Sequence, residues 1–179
     1  MNMVDMGGKV DEKRHSKSGT SGENNGDGGG GVRMVLWTRR PVCGSRTEII
    51  DRLSALRSSG AIDTFAVQTW PDEVVLSEQT RHDRLVETYQ QFREWAEGSG
   101  LSIAPPFERR TVTTLVGRRE EVLTVPMLCL AVYDDGLCGV YPCSDGDRTW
   151  TVPDYLDAYE AAGGRPVGVA TTNDPHTER

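Results

Sequence analysis

Lysine is almost absent from this chain: Lys9, Lys13 and Lys17 are the only three, so beyond residue 17 every long basic side chain is an arginine. Positive charge is short overall. Twenty Lys and Arg stand against 27 Asp and Glu, a formal net charge of -7. That balance argues against a nucleic-acid-binding surface of the usual basic kind, although it leaves room for a local arginine patch. The acidic, lysine-poor and arginine-rich composition fits a halophile, in which carboxylates keep the surface hydrated. No run approaches the roughly 20 apolar residues of a membrane-spanning helix, and residues 1–27 lack the apolar core of a signal peptide. Without an export signal the expected compartment is the reducing cytoplasm, so the four cysteines are expected to be thiols rather than a disulfide framework. Ser-His-Asp, P-loop and Gly-x-Gly-x-x-Gly patterns are also missing. His15, His82 and His176 have no partner at ligand spacing, and Cys138 and Cys143 lack the C-x-x-C spacing of a zinc knuckle, so no metal or cofactor is expected.

What is present suits one domain with tails. Residues 1–31 are rich in glycine and serine, cannot bury apolar surface, and are expected to form a disordered leader. An ordered domain is expected over 32–163 and a flexible tail over 164–179. Val32 to Thr38 reads as a buried strand, ending in Arg39 and Arg40. A turn at Pro41 to Gly44 leads to a helix, with Ser45 and Glu48 in capping-box spacing and Ile49, Ile50, Leu53 and Leu56 at helical spacing. Asp63 to Trp70 is a second strand and Val74 to Leu76 a short extra one. A helix is expected over Glu78 to Glu97, with Leu85, Tyr89, Phe92 and Ala96 on its apolar stripe. Thr111 to Val116 and Glu121 to Thr124 form a hairpin across Gly117. Met127 to Tyr133 and Leu137 to Tyr141 form another, across a two-residue Asp135-Gly136 turn that sets Tyr133 opposite Cys138 and puts Cys129 and Cys138 on one face. Pro153 opens a closing helix. The expected core includes Val35, Leu36, Ile50, Leu53, Val67, Leu85, Phe92, Leu128, Leu130 and Leu156.

Several residues could carry chemistry. Cys43 stands at a helix start, where the macrodipole favours thiolate, with Arg39, Arg40 and Arg46 nearby in sequence. Thr124-Val125-Pro126 directly precedes an apolar strand, and Ser144-Asp145 follows the last strand. The pairs Arg39-Arg40, Arg109-Arg110 and Arg118-Arg119 could form an anion-binding rim, or could simply be surface arginine replacing lysine.

The run Trp37 to Cys43, the Thr124-Val125-Pro126 tripeptide and the β-α-β-α-β-β-α order resemble a thioredoxin-like domain, and within it glutaredoxin. The resemblance implies a mixed sheet flanked by helices, with an extra hairpin before the third core strand. It also implies a cis bond before Pro126, facing Cys43, and a thiol-peptide site at Arg39, Arg40, Thr124, Val125, Pro126, Ser144 and Asp145. The second redox cysteine of that family would fall at Arg46, and Ser45-Arg46 departs from the monothiol pattern. The sequence therefore favours a non-catalytic module that binds protein, with a monothiol oxidoreductase using Cys43 on low-molecular-weight thiols as the alternative. Nucleic acid and membrane are unexpected partners. The whole chain also resembles a haloarchaeal family of small proteins. A winged helix-turn-helix is the second-choice fold, against which the acidic balance and the number of strands weigh.

Overall fold

A computed structural model describes residues 31–42, 44–77 and 83–165. Residues 1–30 of the expected leader over 1–31, most of the tail, Cys43, His82 and the proposed helix start at Glu78 fall outside the described residues. The chain runs β1 (Arg33–Arg39), α1 (Ser45–Ser58), β2 (Thr64–Trp70), β3 (Glu73–Leu76), α2 (Arg84–Gly98), β4 (Glu108–Thr113) and β5 (Arg119–Thr124). It continues through β6 (Leu128–Tyr133), β7 (Leu137–Tyr141), β8 (Cys143–Ser144), β9 (Thr149–Trp150) and α3 (Val152–Ala161). It is an α/β arrangement, with a four-stranded mixed sheet in the order β2-β1-β6-β7 and, among the described residues, three helices. In that sheet β1 is parallel to β2 and antiparallel to β6, and β6 is antiparallel to β7. A second sheet, β3-β5-β4, is antiparallel throughout.

The pleat of β1 divides its side chains between two environments. Met34, Leu36 and Thr38 are completely buried. Val35 and Trp37 point to the opposite face, where they share a groove with α2. In α1, Ile49, Leu53 and Leu56 recur at one helical face and are buried. Arg52 of α1 bonds both Asp157 and Glu160 of α3, at 2.7 and 3.0 Å, and Tyr159 donates to the Ala61 carbonyl at 2.7 Å. These contacts hold the closing helix beside the first one. Aromatic side chains join the two sheets and α2. Phe107 touches Trp70, Tyr89 and Phe92, and Trp70 also stacks on Trp37 with ring centroids 5.2 Å apart.

Several expectations require correction. Val67 is 38% exposed rather than core, because β2 is the edge strand of its sheet and has a neighbour on one side only. In α1 the buried member of the Ile49-Ile50 pair is Ile49, and in α2 Val86 replaces Leu85 on the buried stripe. α1 begins after Gly44, whose φ of 61° suits glycine, and Ser45 provides no side-chain cap. The β6-β7 register differs by one residue. Tyr133 pairs with Leu137 and Val132 with Gly139, so Cys138 is the extra residue of a bulge, and its Sγ donates to the Val132 carbonyl at 3.3 Å. The cause lies in the turn. Asp134 N–H bonds Gly136 O at 2.9 Å, which makes a three-residue loop instead of the two-residue one.

A capping box does occur, at α3. The Thr151 side chain accepts from Asp154 N–H, and the Asp154 carboxylate accepts from Thr151 N–H and from its hydroxyl. Those bonds, the Thr151 hydroxyl first among them, hold the Asp154 carboxyl below its ordinary value. A depressed folded value contributes stability above the unfolded value of about 3.9 and loses it as pH falls through the folded one. Thr151→Ala is therefore expected to cost about 1 kcal/mol in urea unfolding at neutral pH. The gap to the parent protein should narrow in acid once Asp154 protonates. An unchanged gap across that range would mean that the carboxylate is not part of the cap.

Candidate functional site

The expected thiol-peptide groove does not survive inspection of its backbone. Pro126 follows a trans bond; the cis bonds in the described residues precede Pro41, Pro105 and Pro142. Val125 is fully buried, its N–H donates to Asp72 O at 3.2 Å, and its carbonyl accepts from the Arg39 guanidinium. The Pro126 carbonyl accepts from the Trp70 indole at 2.9 Å. Both polar groups of Val125 are thus used inside the fold, and no strand-like addition of a peptide is left for them to make. Thr124 closes β5, opposite Glu73 and Glu108.

Arg39 is an internal clamp instead of a rim: besides Val125 it lies 3.5 Å from the Asp72 carboxylate, and its own carbonyl accepts from Arg46 at 2.8 Å. Arg40 is exposed. Ser144 pairs its backbone with Ser102, while the Asp145 carboxylate accepts from Asp147 and Arg148 N–H groups in a polar turn. These bonds, that to Arg148 foremost, lower the Asp145 carboxyl. Ser144-Asp145 is therefore a turn closing β8 against β9, remote in role from Val125.

The thiols tell the same story. Burial pushes the Cys143 thiol up to about 12 and drives that of Cys129 higher than usual, with the neighbouring Cys143 adding to the effect. Cys138 is exposed at the bulge, and desolvation followed by the charge of Asp134 raises it too. Iodoacetamide at about pH 8 should label Cys138 slowly, and Cys129 and Cys143 only after denaturation, as read by peptide mass. Fast native labelling of Cys129 would contradict the packing.

A different surface collects unneutralised charge. Residues 109–119 carry four arginines and no carboxylate, as does the longer run before Glu48 with Arg33, Arg39, Arg40 and Arg46. The 109–119 run forms the β4-β5 hairpin, whose strands pair from Glu108↔Thr124 to Thr113↔Arg119. At its base Arg109 bonds Glu121 at 2.7 Å and Arg110 bonds Glu73 of β3. Near the tip Arg118 and Arg119 have no carboxylate partner among the described residues. The turn between them and β4 is fixed by Thr114 N–H to Arg118 O and Gly117 N–H to Thr114 O, both 2.8 Å, with Gly117 at a φ of 77°. That closure pushes Leu115 and Val116 outward, at 108% and 80% exposure. An exposed aliphatic pair flanked by free guanidiniums can enter a groove lined by anions, its apolar tip shielded there from water. The strand expected from sequence runs on to Val116; the observed one ends at Thr113, which leaves both aliphatics in the turn, where polar residues are the usual choice.

The family comparison decides what this chain is grouped with. A family model described as a helix-turn-helix domain matches residues 27–164. The chain belongs to the helix-turn-helix domain family. No curated protein and no solved structure matches it. Membership overturns the thioredoxin-like and glutaredoxin resemblance, and it replaces the likeness to a haloarchaeal small-protein family. The protein-binding module and the Cys43 oxidoreductase fall with that resemblance, as does the expectation that nucleic acid is an unlikely partner. The second-choice reading named a helix-turn-helix, as the family model does, while the expected α/β mixed sheet is the architecture observed. Within this member the described helices are each separated by strands, so no two of them are joined by the short turn of a helix-turn-helix pair. No described helix is long and apolar enough to cross a membrane.

Proposed function

We propose that this member of the helix-turn-helix family is a DNA-binding regulatory protein that contacts the duplex through the β4-β5 hairpin. The observation that carries the reading is the family match over residues 27–164. The hairpin supports it. A two-stranded ribbon fits a DNA groove, guanidiniums bond phosphates and groove edges, and apolar side chains wedge between base steps in the minor groove. Arg118, Arg119, Leu115 and Val116 supply both chemistries within six residues of the tip. The strand order β2-β1-β6-β7 supports reading the large sheet as the βαβαββα frame anticipated from sequence, serving here as a scaffold.

The chain's charge of -7 sets how binding should behave. Its general field repels DNA, while the hairpin attracts it over a short range. Each phosphate neutralised by a hairpin arginine releases a condensed counterion, so the attraction at contact weakens as salt rises. Fluorescence anisotropy with a labelled duplex, titrated between about 50 and 200 mM salt, tests the reading. Saturable binding whose affinity falls with salt is expected. Absence of binding across that range to both A·T-rich and G·C-rich duplexes would reject it.

A further inference from the structure

On the large sheet α2 leaves part of one face uncovered. The result is a groove of about 370 Å³ between β1, β2 and α2, edged by Tyr133 of β6. A neighbouring cleft of about 290 Å³ shares Trp37, Gln68 and Arg84 with it. Volumes of this size fall in the range of small-molecule sites. Val35, Trp37 and Ala66 supply apolar surface; Trp37 is held in place by its stack on Trp70. Two cations border that surface. Arg33 lies over the Tyr133 ring, 4.1 Å from its centroid, and Arg84 opens α2. Neither has a carboxylate partner among the described residues, although carboxylates outnumber basic groups in this chain. Gln68 and Gln91 add amide donors and acceptors. Among the described lining residues of the groove Glu87 is the one acid against two arginines, while Asp83, the N-cap of α2, lines the neighbouring cleft.

From this arrangement we infer that the groove between α2 and the open half of the sheet binds a small aromatic carboxylate. A flat ring matches Val35, Trp37 and Ala66, which a purely ionic ligand would leave uncovered. A guanidinium binds a carboxylate through two parallel hydrogen bonds. Inorganic phosphate has no ring to cover Val35, Trp37 and Ala66, which weighs against it. The site shares no residue with the β4-β5 hairpin, so it stands or falls separately from DNA binding.

The Trp37 indole N–H has no acceptor among the described residues and provides a local reporter. In ¹⁵N-labelled protein its resonance is identified by its loss in Trp37→Phe and followed during titration with benzoate. A saturable shift is expected. Benzamide, the same shape without the charge, and inorganic phosphate, the charge without the ring, should each produce no saturable shift. Arg33→Gln and Arg84→Gln should each weaken benzoate about tenfold, and Gln68→Glu should do so at least as much. The indole signals of Trp70, Trp95 and Trp150 establish that each variant is folded. No saturable benzoate shift, equal binding of benzamide or phosphate, or unchanged affinity in both arginine variants would overturn the assignment.

Discussion

Replacing Arg118 and Arg119 together by glutamine should remove about 1.8 from the slope of log affinity against log salt, at about 0.9 per phosphate contact, and weaken duplex binding about tenfold or more near 0.1 M salt. The size of the effect follows from the absence of competing partners. Arg109 and Arg110 spend their guanidiniums on Glu121 and Glu73, whereas Arg118 and Arg119 hold theirs free of carboxylates. Arg57→Gln, on the exposed side of α1, changes the net charge in the same direction and should leave the slope nearly unaltered. Leu115→Ser with Val116→Ser tests the other half of the tip: charge is conserved, so the slope should hold while preference for A·T-rich duplex falls. A minor-groove drug should compete with the parent protein. If the double arginine variant keeps both affinity and slope, the hairpin is not the contact.

The largest loss of stability is expected at Trp70. Its ring is 5% exposed, stacks on Trp37, meets Phe107 edge-on, and donates its indole N–H to the Pro126 carbonyl. Trp70→Ala should cost about 4 kcal/mol in denaturant unfolding, from lost burial and the cavity it leaves. Trp70→Phe keeps a ring in place but leaves the carbonyl of buried Pro126 without its donor, a cost of about 1 to 3 kcal/mol. The difference between the two variants measures the packing share. Equal losses would show that the hydrogen bond, and not the ring, holds the end of β2 to the entry of β6. An unchanged m-value is needed for either comparison to refer to the native state.

Local pattern was legible in the sequence where one face of an element determined its side chains. Leu36, Leu53, Phe92, Leu130 and Leu156 are all completely buried, as their spacing requires. The extra strand before α2 was legible for the same reason, and the hairpin across Gly117 only in outline: its first strand, expected over Thr111 to Val116, spans Glu108–Thr113. Edge position was not: nothing in Thr64 to Trp70 tells that β2 ends its sheet and exposes Val67. Nor was the β6-β7 bulge, since Asp135-Gly136 suits a two-residue turn and a neighbouring three-residue loop almost equally. The site misled for a related cause. Thr124-Val125-Pro126 was read by its residue types, but its meaning depended on which carbonyls were already taken, and Arg39 and Trp70 take them from 86 and 56 residues away. Net charge misled as well, because an average over the chain hides a stretch of eleven residues that contains no acid.

The clamp at Arg39 has a mechanical consequence. Its guanidinium grips Val125, the residue at which β5 leaves the small sheet for the large one, and Val125 also bonds Asp72 at the entry to β3. β5 is also held by β3 along Glu121–Thr124, so the β4-β5 hairpin is in effect a beam whose free span begins at Glu120. That span with its turn extends roughly 10 Å, so a tilt of about 10° would swing Leu115 by about 2 Å, about a third of the width of a minor groove. The aim of the tip is therefore set where β3 and the Arg39 clamp hold β5, away from anything the tip touches, and stiffness there governs how narrowly the beam points.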